Sequence, residues 1–429
     1  AILRARAAED LVHYQPLQVA DLGLHLCKFK RNTAIGGDFL APAALKALPK
    51  EGKADLVELF NKSVLSLHLP LQGVFNLLAV IPKEKGERLV AKMATTTRLL
   101  FRMRRSEVEA FDTAHQEFWD TAIAGSSALR AATWRAYHME LTSVLGGSCA
   151  AAFVDLDKFY DSLDPTILIE KLLELNYPAL SLWLFVLAHW GPRRIEKSGC
   201  TSEILQVGRS ILAGCTSSNS LARSYLHHVC HALHYKVPSV KLSTYVDDIV
   251  LYLIGSAISL GKQLAYAIQL LVQLLVEAKL TVSTKSSIVA SKQAISKEVV
   301  LILSNIKIDM QGAAFAKDLG VGNATGAKRV TKVIKDRQLK TSQRAVKSHR
   351  ISRLAGLANQ RLSRKLTSQS IDPALMYGST VQGLCGRTLQ KARSIEVFSL
   401  GVVATQQCTT STLALLGRPY ADPGVSVRV

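Results

Sequence analysis

The stretch LSTYVDDIVLYL (residues 242–253) places two adjacent aspartates between two apolar runs. A tight hairpin turn explains such a pair, because Asp tolerates unusual backbone angles and bonds locally to the backbone. Residues 241–246 and 249–254 would then form antiparallel strands with Asp247 and Asp248 at the tip. Two adjacent carboxylates also repel each other unless a positive charge, such as a divalent cation, lies beside them. The stretch therefore predicts either a plain turn or a metal site, and a metal site requires a third carboxylate elsewhere.

A candidate for the third carboxylate lies in AAFVDLDKFYDSLD, residues 151–164. Asp155 follows four apolar residues and ends a predicted core strand, where an unpaired charge is costly. If that strand lies beside the hairpin, Asp155 meets Asp247 and Asp248. Three such carboxylates would hold two Mg²⁺ ions about 4 Å apart.

Two metal ions at that spacing are suited to phosphoryl transfer. One lowers the pKa of an attacking hydroxyl, and the other stabilises a leaving pyrophosphate. The charge of the chain agrees with a polyanionic substrate, since 53 Lys and Arg outnumber 33 Asp and Glu for a net charge of +20. Such a balance predicts nucleic acid, rather than a membrane, as the partner.

The remaining bulk features exclude several classes of protein. The length of 429 residues allows two or three domains. Seven cysteines without a CxxC pair argue against zinc ribbons and disulfide frameworks and predict a reducing, intracellular compartment, either nuclear or cytoplasmic. The most apolar long stretch, residues 265–276, is too short to span a bilayer.

The positive charge is concentrated between Lys317 and Lys365, where fourteen Lys and Arg face two Asp. A solvated or disordered basic tail is one explanation. However, apolar residues recur at helical spacing, which favours a basic amphipathic helical region that docks on phosphates. These apolar positions are Val330, Val333, Ile334, Val346, Ile351, Leu354 and Leu357.

The order of predicted elements indicates an α+β layer, with helices packed behind one sheet. Asp164 and Pro165 mark the start of one helix as its N-cap and its first turn. The other main predicted elements are a strand over 77–81, helices over 107–143, a strand over 151–156, helices over 218–235 and 258–279, and an extended segment over 280–290.

Taken together, YVDD in a hairpin and VDLDKFYDSLD before it resemble the palm of a reverse transcriptase. The similarity is greatest to enzymes of non-LTR retrotransposons and group II introns. Further segments that resemble theirs are TAIGGDFLAPAALKALP (33–49), NLLAVIPKEKGERLVAKMATTTRLLFRMR (76–104), ILAGCTSSNSL (211–221), LTVSTKSS (280–287), AKDLGV (316–321) and ALMYGS (374–379).

The resemblance implies an α+β right-hand polymerase with an antiparallel-sheet palm, helical fingers and a basic helical thumb. Residues 1–150 would be the N-terminal segment and fingers, residues 151–315 the palm with interleaved fingers elements, and residues 316–429 the thumb or connector.

The resemblance also implies roles for individual residues. Asp155, Asp247 and Asp248 would be catalytic metal ligands, assisted by the carbonyl group of Leu156. The ions would be two Mg²⁺, with Mn²⁺ as a possible substitute.

Other matching positions would bind the nucleotide. Lys83 and Arg88 take the places of the fingers cations that bind the triphosphate. Tyr160 takes the place of the aromatic residue that excludes a 2′-hydroxyl. Lys285 takes the place of the lysine near the leaving pyrophosphate.

A last group would contact template and primer. Gly214 and Ser218 take the places of loop residues against the template, and Leu319 and Gly320 those of the primer-side turn. Ala213 stands where the family usually has Gln, which removes a polar contact and puts fidelity or activity in doubt.

The function implied is RNA-directed DNA polymerisation, in which a retroelement enzyme adds deoxynucleotides to a primer 3′-hydroxyl. RNA template, DNA primer and dNTPs would be its partners. Two alternatives stay open at this point. One is a viral-type RNA-dependent RNA polymerase, in which a small or polar residue usually stands where Tyr160 is. The other is a non-catalytic nucleic-acid-binding protein descended from a reverse transcriptase, which would typically have lost an active-site Asp.

Overall fold

The strands and helices of the chain come from a computed structural model. The structure describes residues 1–30, 32–83, 86–326, 329–355, 360–402, 408–416 and 422–426. The strands are β1 (Asn76–Pro82), β2 (Glu87–Lys92), β3 (Ser148–Val154), β4 (Arg193–Lys197), β5 (Cys200–Thr201), β6 (Lys241–Tyr245), β7 (Asp248–Gly255), β8 (Ser287–Ala290), β9 (Gln311–Gly312), β10 (Ala316–Asp318) and β11 (Val321–Asn323).

Helices make up most of the remaining described chain. Those before the aspartate hairpin are α1 (Ile2–Asp10), α2 (Val19–Cys27), α3 (Pro42–Ala47), α4 (Lys50–Leu65), α5 (Leu71–Val74), α6 (Thr95–Met103), α7 (Arg105–Ala114), α8 (Ala128–Val144), α9 (Phe159–Ser162), α10 (Pro165–Glu174), α11 (Ala179–His189) and α12 (Ser218–Lys236). Those after it are α13 (Ala257–Glu277), α14 (Gln293–Asn305), α15 (Lys332–Ala355), α16 (Gln360–Leu366), α17 (Asp372–Met376), α18 (Ser379–Gln382), α19 (Gly386–Ser399), α20 (Thr409–Leu416) and α21 (Pro423–Ser426).

The chain divides into two units, each built from separate stretches of sequence. The first unit contains Ala1–Asp120, Leu156–Pro238 and Leu270–Ser283. The second contains Thr121–Asp155, Ser239–Gln269 and Thr284–Val429.

In the first unit, a four-stranded sheet has the order β2-β1-β4-β5. β1 pairs antiparallel with β2 and parallel with β4. Asp164 accepts hydrogen bonds from the backbone N–H groups of Thr166 and Ile167 at the start of α10, so the predicted helix cap is confirmed.

In the second unit, a five-stranded sheet has the order β6-β7-β3-β8-β9. The four strands β6, β7, β3 and β8 pair antiparallel in turn, β9 pairs parallel with β8 at one edge, and β3 lies in the middle. Ala150, Ala151 and Ala152 of β3 are fully buried. Met139 of α8 packs on one face of the sheet in a cluster with Phe153 and other apolar side chains. This sheet is the antiparallel layer that the sequence predicted.

The basic region of the second unit is helical, as expected, and its buried face agrees with the prediction only in part. Val333 and Ile334 are buried as predicted, whereas Val346, Ile351 and Leu354 are exposed and Ser352 is buried instead. Ala345 of α15 packs in a buried cluster with Ala392 and Ile395 of α19. Leu357 lies outside the described residues.

Two further boundaries differ from the sequence prediction, and one apolar segment is longer than expected. The helices over 107–143 are interrupted between α7 and α8, where Ser127 caps the second helix. The segment 280–290 is a strand only over its last four residues. Among the described helices, α13 is long and apolar enough to cross a membrane by length and composition, although half of its apolar window is buried, as in the core helix of a soluble protein.

Candidate active site

The aspartate hairpin has a two-residue turn. Tyr245, the last residue of β6, pairs with Asp248, the first residue of β7, so the turn consists of Val246 and Asp247. The prediction that both aspartates form the tip is therefore wrong by one position, because Asp248 already belongs to the strand. Val246 has a φ of +58°, which a β-branched residue rarely adopts. The turn thus places Asp247 at the tip and Asp248 at the start of β7.

Asp155 lies directly after β3, on the strand next to β7. The last pair of the β3–β7 ladder joins Val154 to Ile249. Asp155 comes one residue after Val154 and Asp248 one residue before Ile249, so continuing the antiparallel register sets the two aspartates opposite each other. Opposed residues in such a ladder have Cα atoms about 4.5–5.5 Å apart. Asp155 therefore meets the hairpin, although 92 positions separate it from Asp247 along the chain.

The electrostatics of Asp248 reflect this crowding. Burial raises the pKa of its carboxyl to about 7, and the charges of Asp247 and Asp155 act in the same direction. Asp318 raises the pKa further, while Arg135 lowers it. The protein alone thus compensates this negative charge incompletely, and an added cation would stabilise the ionised form.

The backbone of Asp155 is held by Ser286. The hydroxyl group of Ser286 accepts a hydrogen bond from the Asp155 N–H (3.1 Å) and donates one to the Asp155 carbonyl (3.3 Å). Ser286 is buried, and its neighbour Lys285 is exposed. Sequence analysis did not single out Ser286, because a serine after a lysine carries no distinguishing pattern.

A buried ion pair lies close to Asp248 within the second unit. Arg135 of α8 donates from Nη1 to Asp318 Oδ1 (2.7 Å) and from Nε to Ser243 Oγ (2.9 Å). The Arg135 and Asp318 side chains are 1% and 3% exposed. Burial raises the pKa of Asp318, against the opposing effect of Arg135. Arg135 was not predicted as a site residue, because it lies 183 positions from Asp318 in an ordinary helical stretch.

The predicted primer-side residues form the turn between β10 and β11. Leu319 and Gly320 have φ values of +46° and +86°. A Cβ atom on Gly320 would approach the Tyr377 ring to 3.1 Å, so the position requires glycine. Tyr377 Oη donates to the Leu319 carbonyl (2.8 Å), and Arg337 donates to the carbonyl groups of Gly320 and Tyr377. The turn is therefore anchored by α15 and by the residue that follows α17.

The predicted site residues divide between the two units. Those in the second unit are Asp155, Asp247, Asp248, Lys285, Leu319 and Gly320. Those in the first unit are Lys83, Arg88, Leu156, Tyr160, Gly214 and Ser218.

In the first unit, Lys83 and Arg88 are exposed at the turn end of the β1–β2 hairpin. Arg88 pairs with Ile81, and the Lys83 N–H donates to the Gly86 carbonyl (3.0 Å). The two cations are thus held close together on one hairpin.

Tyr160 lies in the short helix α9, and its hydroxyl group donates to Asn219 Oδ1 (2.8 Å). This bond fixes the orientation of the ring. Leu156 is buried and forms a β-bridge with Val282.

The loop before α12 contains Gly214 and ends at Ser218. Gly214 has a φ of +103°, and the neighbouring Ala213 carbonyl accepts a hydrogen bond from the Ala91 N–H (3.0 Å). Ser218 is buried, and its hydroxyl donates to the Leu212 carbonyl (2.6 Å). Within the first unit, Ser218 therefore stabilises the loop itself, and a contact with template stays a prediction.

The donor set of the aspartate site suits a hard divalent cation, because Mg²⁺ prefers carboxylate and carbonyl oxygens. The raised pKa of Asp248 fits the same group, since bound cations would relieve the repulsion among the carboxylates. Among the residues that the structure describes, no three His, Cys, Asp or Glu side chains form a group able to hold a metal ion. Mg²⁺ in polymerase sites typically takes one or two carboxylates together with substrate phosphates.

A family model supplies the decisive comparison. The model described as "Reverse transcriptase (RNA-dependent DNA polymerase)" matches residues 81–304, which is more than half of the chain. The chain belongs to the reverse transcriptase family. The fold-class prediction, an α+β right-hand polymerase, is confirmed by this match together with the antiparallel sheet. The matched residues of the reverse transcriptase include the three aspartates and Lys285, while Leu319 and Gly320 lie beyond them.

Two other comparisons give less. No curated protein is significantly similar to this reverse transcriptase in sequence. Among solved structures, it is similar to the structure titled "Structure of apo telomerase from Candida Tropicalis truncated from C-terminal domain", with 12% sequence identity and a TM-score of 0.40. The similarity covers 52% of this chain and 51% of the telomerase chain, so this reverse transcriptase spans about half the length of that relative.

Proposed function

We propose that this chain is an RNA-directed DNA polymerase that extends a primer 3′-hydroxyl with deoxynucleotides on an RNA template. The observation that supports the proposal is the β3–β7 ladder, whose last pair joins Val154 to Ile249, so that Asp155 and Asp248 are the next residues on two neighbouring strands within the family match. A retroelement origin of the non-LTR or group II intron type is part of the proposal and is supported by the sequence motifs alone.

Asp155, Asp247 and Asp248 would hold two Mg²⁺ ions with help from the Leu156 carbonyl, and Mn²⁺ would substitute. When bound, such ions activate an attacking hydroxyl and stabilise the leaving pyrophosphate. Asp155 follows the central strand β3, next to the hairpin that carries the other two carboxylates. Because the pKa of Asp248 is raised to about 7, binding of a cation would displace a proton from this site around neutral pH.

The other proposed roles concern orientation of the nucleotide. Lys83 and Arg88, exposed on one hairpin, would bind the triphosphate. The ring of Tyr160, held by Asn219, would exclude a 2′-hydroxyl and so favour deoxynucleotides. Lys285 would neutralise charge on the leaving pyrophosphate.

Template and primer would lie on further elements. Gly214 and Ser218 would adjoin the template, and the Leu319–Gly320 turn would adjoin the primer. The basic helix α15 would bind backbone phosphates, which predicts an affinity that falls steeply with salt. We assign residues 1–150 to the N-terminal segment and fingers, residues 151–315 to the palm and residues 316–429 to the thumb. A nuclear or cytoplasmic location stays a prediction.

Primer extension tests the proposal. The full chain would be given poly(rA)/oligo(dT) with Mg²⁺ and either dTTP or UTP, beside D247A. Incorporation of dTTP that the variant loses is the expected result. A preference for UTP would instead indicate an RNA polymerase. Tight binding of the duplex with no extension by the wild type would indicate a non-catalytic binding protein.

A further inference from the structure

A single buried arginine joins the aspartate hairpin to the primer-side turn. Arg135 bonds Ser243 in β6, two residues before the end of that strand, and Asp318 in β10, immediately before Leu319. One rigid guanidinium therefore touches the strands that lead into both turns. A guanidinium is suited to this task because its donors lie in a fixed fork.

The energetics of the pair point to a positional role. Both side chains are almost fully buried, and two buried charges generally contribute little stability compared with apolar residues of similar volume. Arg135 Nη2 and Asp318 Oδ2 have no hydrogen-bond partner among the described residues. The buried pair thus contributes little to the free energy of unfolding compared with apolar side chains. This agrees with a role in positioning rather than in stability.

The two charges of the pair act on Asp248 in opposite directions. Asp318 raises the pKa of Asp248 while Arg135 lowers it. Removal of both charges together would leave the net charge near Asp248 unchanged. Removal of either charge alone would not, so the double replacement separates position from charge.

We propose that Arg135 and Asp318 are positioning residues that fix the primer-side turn relative to the catalytic aspartates. This inference rests on the proposed polymerase function and deepens it. The turn is anchored on its far side by Tyr377 and Arg337, so Arg135 completes a continuous series of contacts from α15 to the aspartate hairpin. The distance between primer end and carboxylates is then set by a buried contact that touches no substrate.

The decisive variant is R135M/D318L, which replaces the ion pair with apolar side chains. We expect a thermal unfolding midpoint near that of the wild type. We expect kcat for nucleotide addition to fall about 10- to 100-fold, because small misplacements of reacting groups are costly. KM for dTTP and the Kd for the primer–template duplex should change less than about threefold, since the nucleotide and phosphate contacts remain. A wild-type kcat in a folded double variant would overturn the proposal.

Hydrogen exchange gives a readout that is independent of activity. In the double variant, amides of residues 241–248 and 316–323 should exchange about tenfold faster, while those of α10 and α12 stay unchanged. Unchanged exchange in both hairpins, or an equal increase throughout the chain, would contradict a positioning role.

Two single variants complete the design. S243A removes one contact and keeps the ion pair, so it should raise exchange mainly in β6 and lower kcat by a smaller factor; no change in either quantity would count against the proposal. R135K keeps the positive charge but lacks the forked guanidinium donors. Its kcat should lie between that of the wild type and that of R135M/D318L. If the wild type fails to extend any primer, the polymerase function fails, and the exchange measurement still judges the positional coupling.

Discussion

The aspartate hairpin and the helical bundle around α19 each contain a carboxyl group with a raised pKa, and the two groups differ in what surrounds them. Asp248 is half-buried among other carboxylates at the end of a strand, and its pKa is raised to about 7. Glu396 of α19 is 1% exposed, and burial, with charge and hydrogen-bonding effects of Asp372, raises its pKa to about 10.

The difference shows that a perturbed pKa does not by itself mark a functional site. At Asp248, a bound cation would relieve the repulsion, and the neighbouring Asp247 lies at the tip of a turn. At Glu396 the surroundings are the core of a helical bundle, and a bound proton relieves the cost. Under the proposed function, the first arrangement would bind cations, whereas the second lies in the buried core of a helical bundle.

The largest expected effect is the loss of primer extension when Asp155 is replaced. D155N should lower primer extension by about a thousandfold or more, because it removes a ligand oxygen where transition-state charge develops. Rates measured at saturating dTTP and duplex check this. D157N is the matched control, since Asp157 is exposed in the same stretch, and its rate should stay within about twofold. Equal losses in the two variants would argue against a special role for Asp155.

The next effect concerns Glu396 and the stability of the chain. Because its pKa rises from 4.5 in the unfolded chain to about 10 in the folded one, the folded state binds this proton more tightly. Stability should therefore be greatest below about pH 4.5 for this group and fall as pH rises towards 10, with a slope of up to about 1.4 kcal/mol per pH unit. Denaturant unfolding of E396Q between pH 6 and 9 should lose that slope. A slope identical to that of the wild type would mean that Glu396 is ionised at neutral pH.

A smaller effect tests how Asp155 is held. S286A removes the hydroxyl that bonds both backbone groups of Asp155 and should lower kcat about tenfold through misplacement of the carboxylate. The KM for dTTP should change little. S287A, at the first residue of β8, is the control and should retain the wild-type rate. A larger loss in S287A would locate the effect in the strand rather than in the hydroxyl.

The smallest effect concerns repulsion inside the site. D248N removes one charge from beside Asp247 and Asp155, so in EDTA it should stabilise the chain by about 1 kcal/mol. Addition of Mg²⁺ should raise the melting temperature of the wild type more than that of D248N. Thermal scans with and without the metal give both values. Destabilisation of D248N in EDTA would show that the ionised carboxylate has a favourable partner.

The strands that carry the aspartates could be predicted because their signals are local. Apolar runs predicted these strands, and the charged residues that interrupt or end the runs marked Asp155, Asp247 and Asp248 as candidates, whose role stays a proposal. The exact turn position was missed, since nothing in the sequence indicates that Val246 adopts a positive φ. Asp164 and Pro165 predicted a helix start for the same local reason.

The remainder depends on contacts between distant segments. The Arg135–Asp318 pair joins residues 183 positions apart, and no spacing rule connects them. The prediction for α15 was confirmed at Val333 and Ile334, which are buried. It was wrong near Ser352, which is buried and whose hydroxyl donates to the Ser399 carbonyl at the end of α19 (3.1 Å). Contacts between distant segments thus determine the ion pair and the burial of Ser352, and the local sequence pattern does not indicate either.

The buried position of β3 bears on which part of the proposed site would adapt during turnover. This strand has a strand on either side, and Ala150, Ala151 and Ala152 are fully buried, so Asp155 would be the stationary part of the site. The hairpin that carries Asp247 ends in a turn beyond the last paired residues, Tyr245 and Asp248. Its strand β6 lies at the edge of the sheet. Movements that accommodate successive substrates would therefore occur in the hairpin, and the central strand would keep Asp155 in place.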